Sequence, residues 1–355
     1  MLFLSTRGIS GTKGGYMAYF EDARPAPRFG VCYDFRNPPD SGIAMPDLYA
    51  QALEQIKWLD DSGLDLIWFT EHHFVDDGYL PAWIPVASAA AAVTSNVRFS
   101  SDICLLPFVN PIRLAEDLAV LDNISQGRVE VGLGMGYAPH EFAGFGIPVS
   151  RRVSLMDEGL DVLHRAFTGE RFSYHGKRYQ FSDVQITPGY VQEGGPPMWV
   201  AAMSAAGARR AARVGANFLP QGDRSATLDV WRDQLGVQSA SQRRIGIIKG
   251  VFVTDDAEKE WPQVRDSERY RMNLYRRFFS ESNTNFGAGE HIPQNWVVGD
   301  VSQCIDEIVD FMLTYGMTDL VTWGIPPGLS SDVMQSSLER FVGEVVPGVR
   351  EKLGA

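Results

Sequence analysis

Short apolar runs alternate along most of the chain with segments whose apolar residues recur at helical spacing. In the segment 47–62, for example, Leu48, Ala52, Ile56 and Leu59 recur in this way. Continuous apolar runs are typical of parallel strands that are covered on both faces. The pattern predicts eight strands, at 29–33, 64–69, 97–106, 128–133, 198–202, 217–219, 245–253 and 319–323.

A helical segment follows each predicted strand. Eight such strand–helix units are the number in a (β/α)8 TIM barrel, which is an α/β fold. A doubly wound open sheet has the same alternation and remains the alternative. Two segments, 169–197 after strand 4 and 280–298 after strand 7, are longer than the usual connection of about 2–6 residues. The first has a hairpin pattern with Gly176 at its turn. We expect these insertions to cover the barrel mouth, where the strands end, and to set substrate selectivity.

The ends of this pattern predict the domain organisation. Residues 1–27 are rich in Gly, Ser and Lys, and their apolar start is too short for a signal peptide, so a flexible N-terminal extension is expected. Residues 28–355 are expected to form one barrel domain.

Composition narrows the function classes. The 355 residues are 45% hydrophobic and 21% charged, as in a globular protein, and the net charge is −12. An acidic chain without a basic stripe does not suit a nucleic-acid surface. The three widely spaced cysteines form neither a disulfide framework nor a metal cluster, which favours the reducing cytoplasm. We expect no nucleic acid and no membrane among the partners.

The stretch 63–74, GLDLIWFTEHHF, is a buried strand that ends in Thr70, Glu71, His72 and His73. In barrels of parallel strands the chemistry collects at these ends, so a site is expected at His72. The alternative is a hydrogen-bonded structural histidine. Side chains of adjacent residues on an extended backbone point to opposite faces, so the two histidines are not expected to share a metal ion, and no metal site is predicted.

Two further motifs each have two interpretations. The stretch Gly132–Gly136 has G-x-G-x-G spacing without the acidic partner of a dinucleotide fingerprint, and indicates either a flat ligand against the backbone or a tight turn. Ser204, at the start of a predicted helix, is either a plain N-cap or, with the amides of Ala206 and Gly207, a phosphate site.

Taken together, these motifs resemble the bacterial luciferase-like monooxygenase family. The resemblance covers residues 28–347. Its matching stretches are 65–74, 110–118, 121–129, 132–137 with Glu141-Phe142 and Phe145-Gly146, 199–215 and 341–347.

The resemblance implies a barrel that binds FMN, received already reduced from a separate flavin reductase. It implies that His72 is the catalytic histidine beside the flavin ring, preceded by Glu71. The residues expected to contact the cofactor are Gly134, Met135, Tyr137, Arg152, Ser204, Ala206 and Gly207. Luciferases proper carry Cys-Arg in place of Gly134-Met135, and a threonine in place of Gly207. Light emission from an aldehyde is therefore not expected, whereas flavin binding is.

Three hypotheses of function follow from the resemblance. In the first, reduced FMN reacts with dioxygen to give a C4a-peroxyflavin, which oxidises a small, largely apolar substrate, with His72 as the acid-base group. The second is a deazaflavin-dependent hydride-transfer oxidoreductase, whose branch more often carries Asp-His where this chain has Glu71-His72. The third is a non-catalytic flavin-binding barrel. A homodimer is expected in each case.

Overall fold

The computed structural model describes residues 25–222, 224–279 and 296–355. Residues 1–24 of the predicted extension 1–27 lie outside the described part. The strands are β1 Arg28–Tyr33, β2 Leu66–Phe69, β3 Arg98–Ser101, β4 Cys104–Leu105, β5 Val131–Gly134, β6 Phe172–His175, β7 Gln180–Val184, β8 Met198–Ala202, β9 Asn217–Pro220, β10 Gly246–Ile248, β11 Gly250–Val253, β12 Trp296–Gly299 and β13 Asp319–Trp323.

The helices surround these strands. They are α1 Met45–Asp61, α2 Trp83–Ala92, α3 Pro111–Ser125, α4 Pro139–Gly144, α5 Arg152–Ala166, α6 Ala205–Arg213, α7 Arg224–Leu235, α8 Val237–Ser241, α9 Ala257–Phe279, α10 Val301–Tyr315, α11 Asp332–Arg340 and α12 Val346–Leu353, with a π-helical segment, Phe341–Val345, before the last. Within the described ranges, no helix combines the length and the hydrophobicity that crossing a membrane requires.

Parallel pairing closes the sheet into a barrel. One sheet has the order β10-β13-β1-β2-β3 and a second has the order β4-β5-β8-β9. Parallel bridges from Phe99 to Val129 and from Phe218 to Ile245 join the two at both seams. The barrel therefore has eight positions, of which β3 with β4 fills the third and β10 with β11 the seventh. The predicted (β/α)8 barrel is confirmed, and the open sheet is excluded.

Two strands predicted as continuous are interrupted. The strand at 97–106 breaks between β3 and β4, and the strand at 245–253 breaks at Lys249. Beyond that break, β11 leaves the neighbouring barrel strand and pairs in parallel with β12, from Gly250 opposite Trp296 to Val253 opposite Gly299. Apolar patterning could not predict either interruption, because buried residues stand on both sides of each break.

The first insertion does not cover the mouth, so that expectation is wrong for the hairpin β6–β7. The backbone amides of Lys177, Arg178 and Tyr179 donate to the carboxylate of Glu158 at 3.1, 2.7 and 3.1 Å. The hairpin follows helix α5 in the chain and folds back along the outside of this helix. Of the second insertion, residues 280–295 lie outside the described part.

Helix α9 lies over the mouth instead. Its Arg271 Nε donates to Asp34 at 3.0 Å, its Tyr270 hydroxyl donates to Asp77 at 2.9 Å, and its Tyr275 hydroxyl lies 2.8 Å from that of Tyr79. Asp34 directly follows β1, and Asp77 and Tyr79 belong to the connection after β2. This helix therefore contacts the ends of two barrel strands.

Candidate active site

His72 is held rigidly at the carboxyl end of β2. Strand β2 ends at Phe69, and the amide of Thr70 donates to the Tyr33 carbonyl at 3.1 Å. The His72 amide donates to the Leu80 carbonyl at 3.1 Å, and only 6% of the residue is exposed. The backbone thus fixes the imidazole at the end of the strand where the sequence predicts a site.

Glu141 and Tyr137 bind the two nitrogens of the His72 ring. Nδ1 lies 2.8 Å from Glu141 Oε1, and Nε2 lies 3.1 Å from the Tyr137 hydroxyl. Burial raises the pKa of Tyr137 well above its ordinary value, so the phenol keeps its proton and can donate. Since a carboxylate only accepts, neutral His72 carries its proton on Nδ1 and accepts at Nε2. The three side chains form a chain of groups that can pass a proton.

Glu141 was not predicted as a site residue. It lies in the short helix α4, is fully buried and also accepts the His73 amide at 2.9 Å through Oε1. Its Oε2 is buried without a hydrogen-bond partner in the described part of the chain. A buried carboxyl is costly unless it is compensated. The one signal in the sequence was its place in the stretch Glu141-Phe142 that carries the family resemblance.

Glu71 lies on the other side of the strand end. Its Oε1 accepts the Leu105 amide at 3.1 Å and lies 3.2 Å from His73 Nε2. The His73 ring packs against Phe108 and Phe145, at 5.9 and 4.8 Å between ring centroids. The two histidines thus point to opposite faces, and Glu71 contacts His73 and strand β4 rather than the His72 ring.

Aromatic rings cover His72. The ring centroid of Tyr79 lies 4.8 Å away, that of Phe278 5.0 Å and that of Tyr275 6.0 Å. Phe278 and Tyr275 come from α9, about two hundred positions further along the chain. The helical spacing of this segment predicts only an outer helix, because no local pattern indicates which strand ends a helix will cover.

Gly134 and Met135 were predicted to contact a cofactor. A Cβ at Gly134 would lie 1.5 Å from Ile103 Cδ1, so glycine is needed here to admit the neighbouring Ile103 side chain. Met135 is partly buried and packs against the core.

The predicted phosphate residues lie at two helix starts. Ser204 Oγ accepts the Gly207 amide at 3.3 Å, so Ser204 is the N-cap of α6. Both Ser204 and Ala206 are exposed. A Cβ at Gly207 would lie 2.7 Å from the Ala202 Cβ, which explains why no larger residue stands there. Arg152 is the partly buried first residue of α5.

Helices α5 and α6 lie side by side with their N-termini at the same end. Asp157, early in α5, accepts from Arg210 Nε of α6 at 2.6 Å. Among the residues that the structure describes, no carboxylate lies within ion-pair distance of Arg152. A guanidinium outside any ion pair and exposed helix amides each suit a phosphate group, so the chemistry of these residues fits the anionic end of a flavin nucleotide.

Comparison with known proteins extends these observations. The family model described as luciferase-like monooxygenase matches residues 28–319. The oxygenase component of the flavin-dependent trigonelline monooxygenase of Acinetobacter baylyi is 25% identical over an alignment of 334 residues, which covers 86% of this chain and 91% of that protein.

Two solved structures share the fold. Monooxygenase RslO1 from Streptomyces bottropensis superposes with a TM-score of 0.78 at 25% identity, covering 90% of this chain and 99% of its own. An F420-dependent secondary alcohol dehydrogenase, in complex with an F420-acetone adduct, has a TM-score of 0.72 at 19% identity and covers 92% of this chain and 99% of its own. The chain belongs to the luciferase-like monooxygenase family and is a flavin-dependent oxidoreductase.

Proposed function

We propose that this chain is the oxygenase of a flavin-dependent monooxygenase system, which uses reduced FMN and dioxygen to oxidise a small, largely apolar organic molecule. The observation that carries the proposal is the Tyr137–His72–Glu141 chain, buried beneath aromatic rings at the carboxyl ends of the strands. The likeness of the whole protein to a flavin-dependent oxygenase component also supports this function. Bound FMN would supply the oxidation chemistry.

The residues of this chain would manage protons and water. His72 Nε2 would exchange a proton with the reacting groups, Tyr137 would relay it, and Glu141 would hold the ring in the tautomer described above. The rings of Tyr275 and Phe278 would keep water from the reacting centre. Because these rings cover His72, contact between a flavin ring and His72 requires the end of α9 to shift.

The FMN phosphate is assigned to Arg152, Ser204 and the amides at the start of α6. Charge-assisted hydrogen bonds are worth about 1.5–3 kcal/mol each. We therefore expect Arg152→Ala to weaken binding of reduced FMN by about ten- to a hundredfold. Ser204→Ala should weaken it less, because the amides and the helix dipole remain. Anaerobic flavin titration measures both.

Exposed Arg151, next to Arg152, provides a matched control, since Arg151→Ala removes the same charge and should leave affinity nearly unchanged. A larger loss for Ser204→Ala than for Arg152→Ala, or no loss for either, would show that the phosphate lies elsewhere.

A separate flavin reductase is the expected source of reduced FMN, since the relative named above is itself an oxygenase component. A coupled assay, in which a general FMN reductase provides the reduced FMN, would test whether a separate reductase can supply this protein. Homodimer formation stays a prediction, which the molar mass in solution would decide.

The second candidate is hydride transfer with a deazaflavin, favoured by the shared fold of the F420-dependent dehydrogenase. That likeness extends to the fold alone, whereas two monooxygenases are matched at 25% identity. The Glu71-His72 pair also resembles the FMN members of the family more than the deazaflavin members. Parallel titration of the purified chain with reduced FMN and reduced deazaflavin separates the two. Tight deazaflavin binding without affinity for reduced FMN would reverse the order.

A further inference from the structure

Lys249 differs from the other described lysines in its surroundings. The chain has six lysines, five of them in the part that the structure describes. Four of these five are exposed, namely Lys57, Lys177, Lys259 and Lys352. Lys249 is partly buried at the break between β10 and β11, where its amide donates to the Val321 carbonyl of β13 at 2.9 Å. Its side chain therefore leaves the barrel wall at a fixed point.

The side chain of Lys249 reaches the outer helices of the barrel. Its Nζ lies 4.9 Å from the ring centroid of Phe311 on α10. The guanidinium carbon of Arg224, the first residue of α7, lies 5.9 Å from the same centroid. Within the described ranges, neither cation has a carboxylate at ion-pair distance. Two positive charges thus approach one aromatic ring without an acidic partner.

These two cations are poorly compensated. Arg224 Nε is buried and has no hydrogen-bond partner in the described part of the chain. An aromatic face attracts a cation only weakly at a partly exposed site, so Phe311 does not replace the water that the cations have lost. Exposed Glu307 of α10 attracts Lys249 from beyond ion-pair distance. Because a guanidinium keeps its proton, the lysine is the member of the pair that can relieve the repulsion by becoming neutral.

A lysine in these surroundings is a nucleophile. Burial and, after it, the charge of Arg224 lower the pKa of Lys249 to about 8. About a quarter of the amine is then neutral at pH 7.5, compared with about one part in a thousand for an ordinary lysine. Desolvation and a neighbouring cation are the two features that activate lysines in proteins. Lys249 also keeps part of its surface exposed to solvent, and the proton chain of His72 does not include it.

We propose that Lys249 is a site of covalent acylation, at which its neutral amine accepts an acyl group from an acyl thioester. Nζ attacks the carbonyl carbon of the thioester, a C–N bond forms and the C–S bond breaks. The thiolate leaves with the bonding electrons and takes up the proton that the nitrogen releases. The products are an amide and a free thiol. Acylation removes the charge beside Arg224 and so ends the repulsion between the two cations.

The test is incubation of the folded chain with acetyl-coenzyme A at pH 7.5, followed by peptide mass spectrometry of every lysine. Lys249 should be acetylated about tenfold faster than the exposed lysines, because its larger neutral fraction outweighs its lower basicity. In denaturant this advantage should disappear, since it depends on the fold. A rate for folded Lys249 no higher than that of the exposed lysines, or an advantage that persists in denaturant, would overturn the inference.

The contribution of Arg224 has its own variant. Arg224→Met removes the neighbouring cation but keeps a long side chain beside Phe311. It should slow acetylation of Lys249 by about two- to fivefold, because the amine regains part of its ordinary basicity. Arg209→Met is the matched control, since it removes an exposed guanidinium from α6, and it should leave the rate unchanged. Equal rates in the two variants would show that the cation pair does not activate Lys249 and would overturn the inference.

Thermal unfolding tests the charge of Lys249 without any reagent. The pKa of Lys249 falls from its ordinary 10.5 to about 8 on folding, so the ammonium form costs stability below about pH 8. This cost fades as the pH rises from about 8 towards 10.5. The melting temperature of the wild type should therefore rise, between pH 7 and pH 9.5, relative to that of Lys249→Gln, which carries a neutral amide. A constant difference between the two over this range would overturn the inference.

Discussion

Replacing His72 by alanine is expected to lower turnover with reduced FMN and dioxygen by about 10²- to 10⁴-fold, the usual contribution of a positioned acid-base group. The imidazole bonds both the Tyr137 hydroxyl and the Glu141 carboxylate. Its loss removes the acid-base group between them. The measurement is steady-state substrate oxidation with FMN supplied in reduced form.

His164→Ala is the matched control, because His164 lies exposed near the end of α5, and its turnover should equal that of the wild type. Flavin affinity should change little in His72→Ala, since the phosphate contacts remain. Turnover of His72→Ala within a factor of two of the wild type would remove His72 from the chemistry.

Asp34→Ala is expected to lower the free energy of unfolding by about 3–5 kcal/mol, the cost of leaving a buried charge without its partner. Asp34 and Arg271 are both almost completely buried, and their side chains are joined at 3.0 Å. Glu268 remains beside Arg271, but burial raises the pKa of Glu268 and makes its charged form less available. Denaturant unfolding measures the change.

The control for this substitution is Asp61→Ala, which removes an exposed partner of Lys57 at 2.6 Å and should leave the free energy of unfolding nearly unchanged. Because Arg271 belongs to α9, Asp34→Ala should also loosen this helix over the mouth, seen as faster amide exchange in α9. A loss of stability below about 1 kcal/mol would show that the pair contributes little.

The barrel was predictable because its signals are local. Runs such as 64–69 are continuous and apolar, and helical spacing follows each of them. The position of His72 at a strand end followed from the same pattern. The position of the hairpin β6–β7 did not follow from this pattern. It depends on hydrogen bonds that Glu158 accepts from three amides about twenty positions away.

The surroundings of His72 were not predictable from local pattern. Glu141 lies 69 positions from His72, and Phe278 more than two hundred. Neither periodicity nor composition reports which distant side chains meet at a strand end. The glycines show the same limit, since local spacing does not report that Gly134 and Gly207 pack against the side chains of Ile103 and Ala202.

The most direct test of monooxygenase activity is oxygen-18 incorporation. The purified chain would receive reduced FMN, labelled dioxygen and a panel of small apolar substrates, and the products would be analysed by mass spectrometry. The account predicts one labelled oxygen atom in the product, with the other atom released as water. Product without label, or turnover that continues at an equal rate when dioxygen is removed, would contradict it.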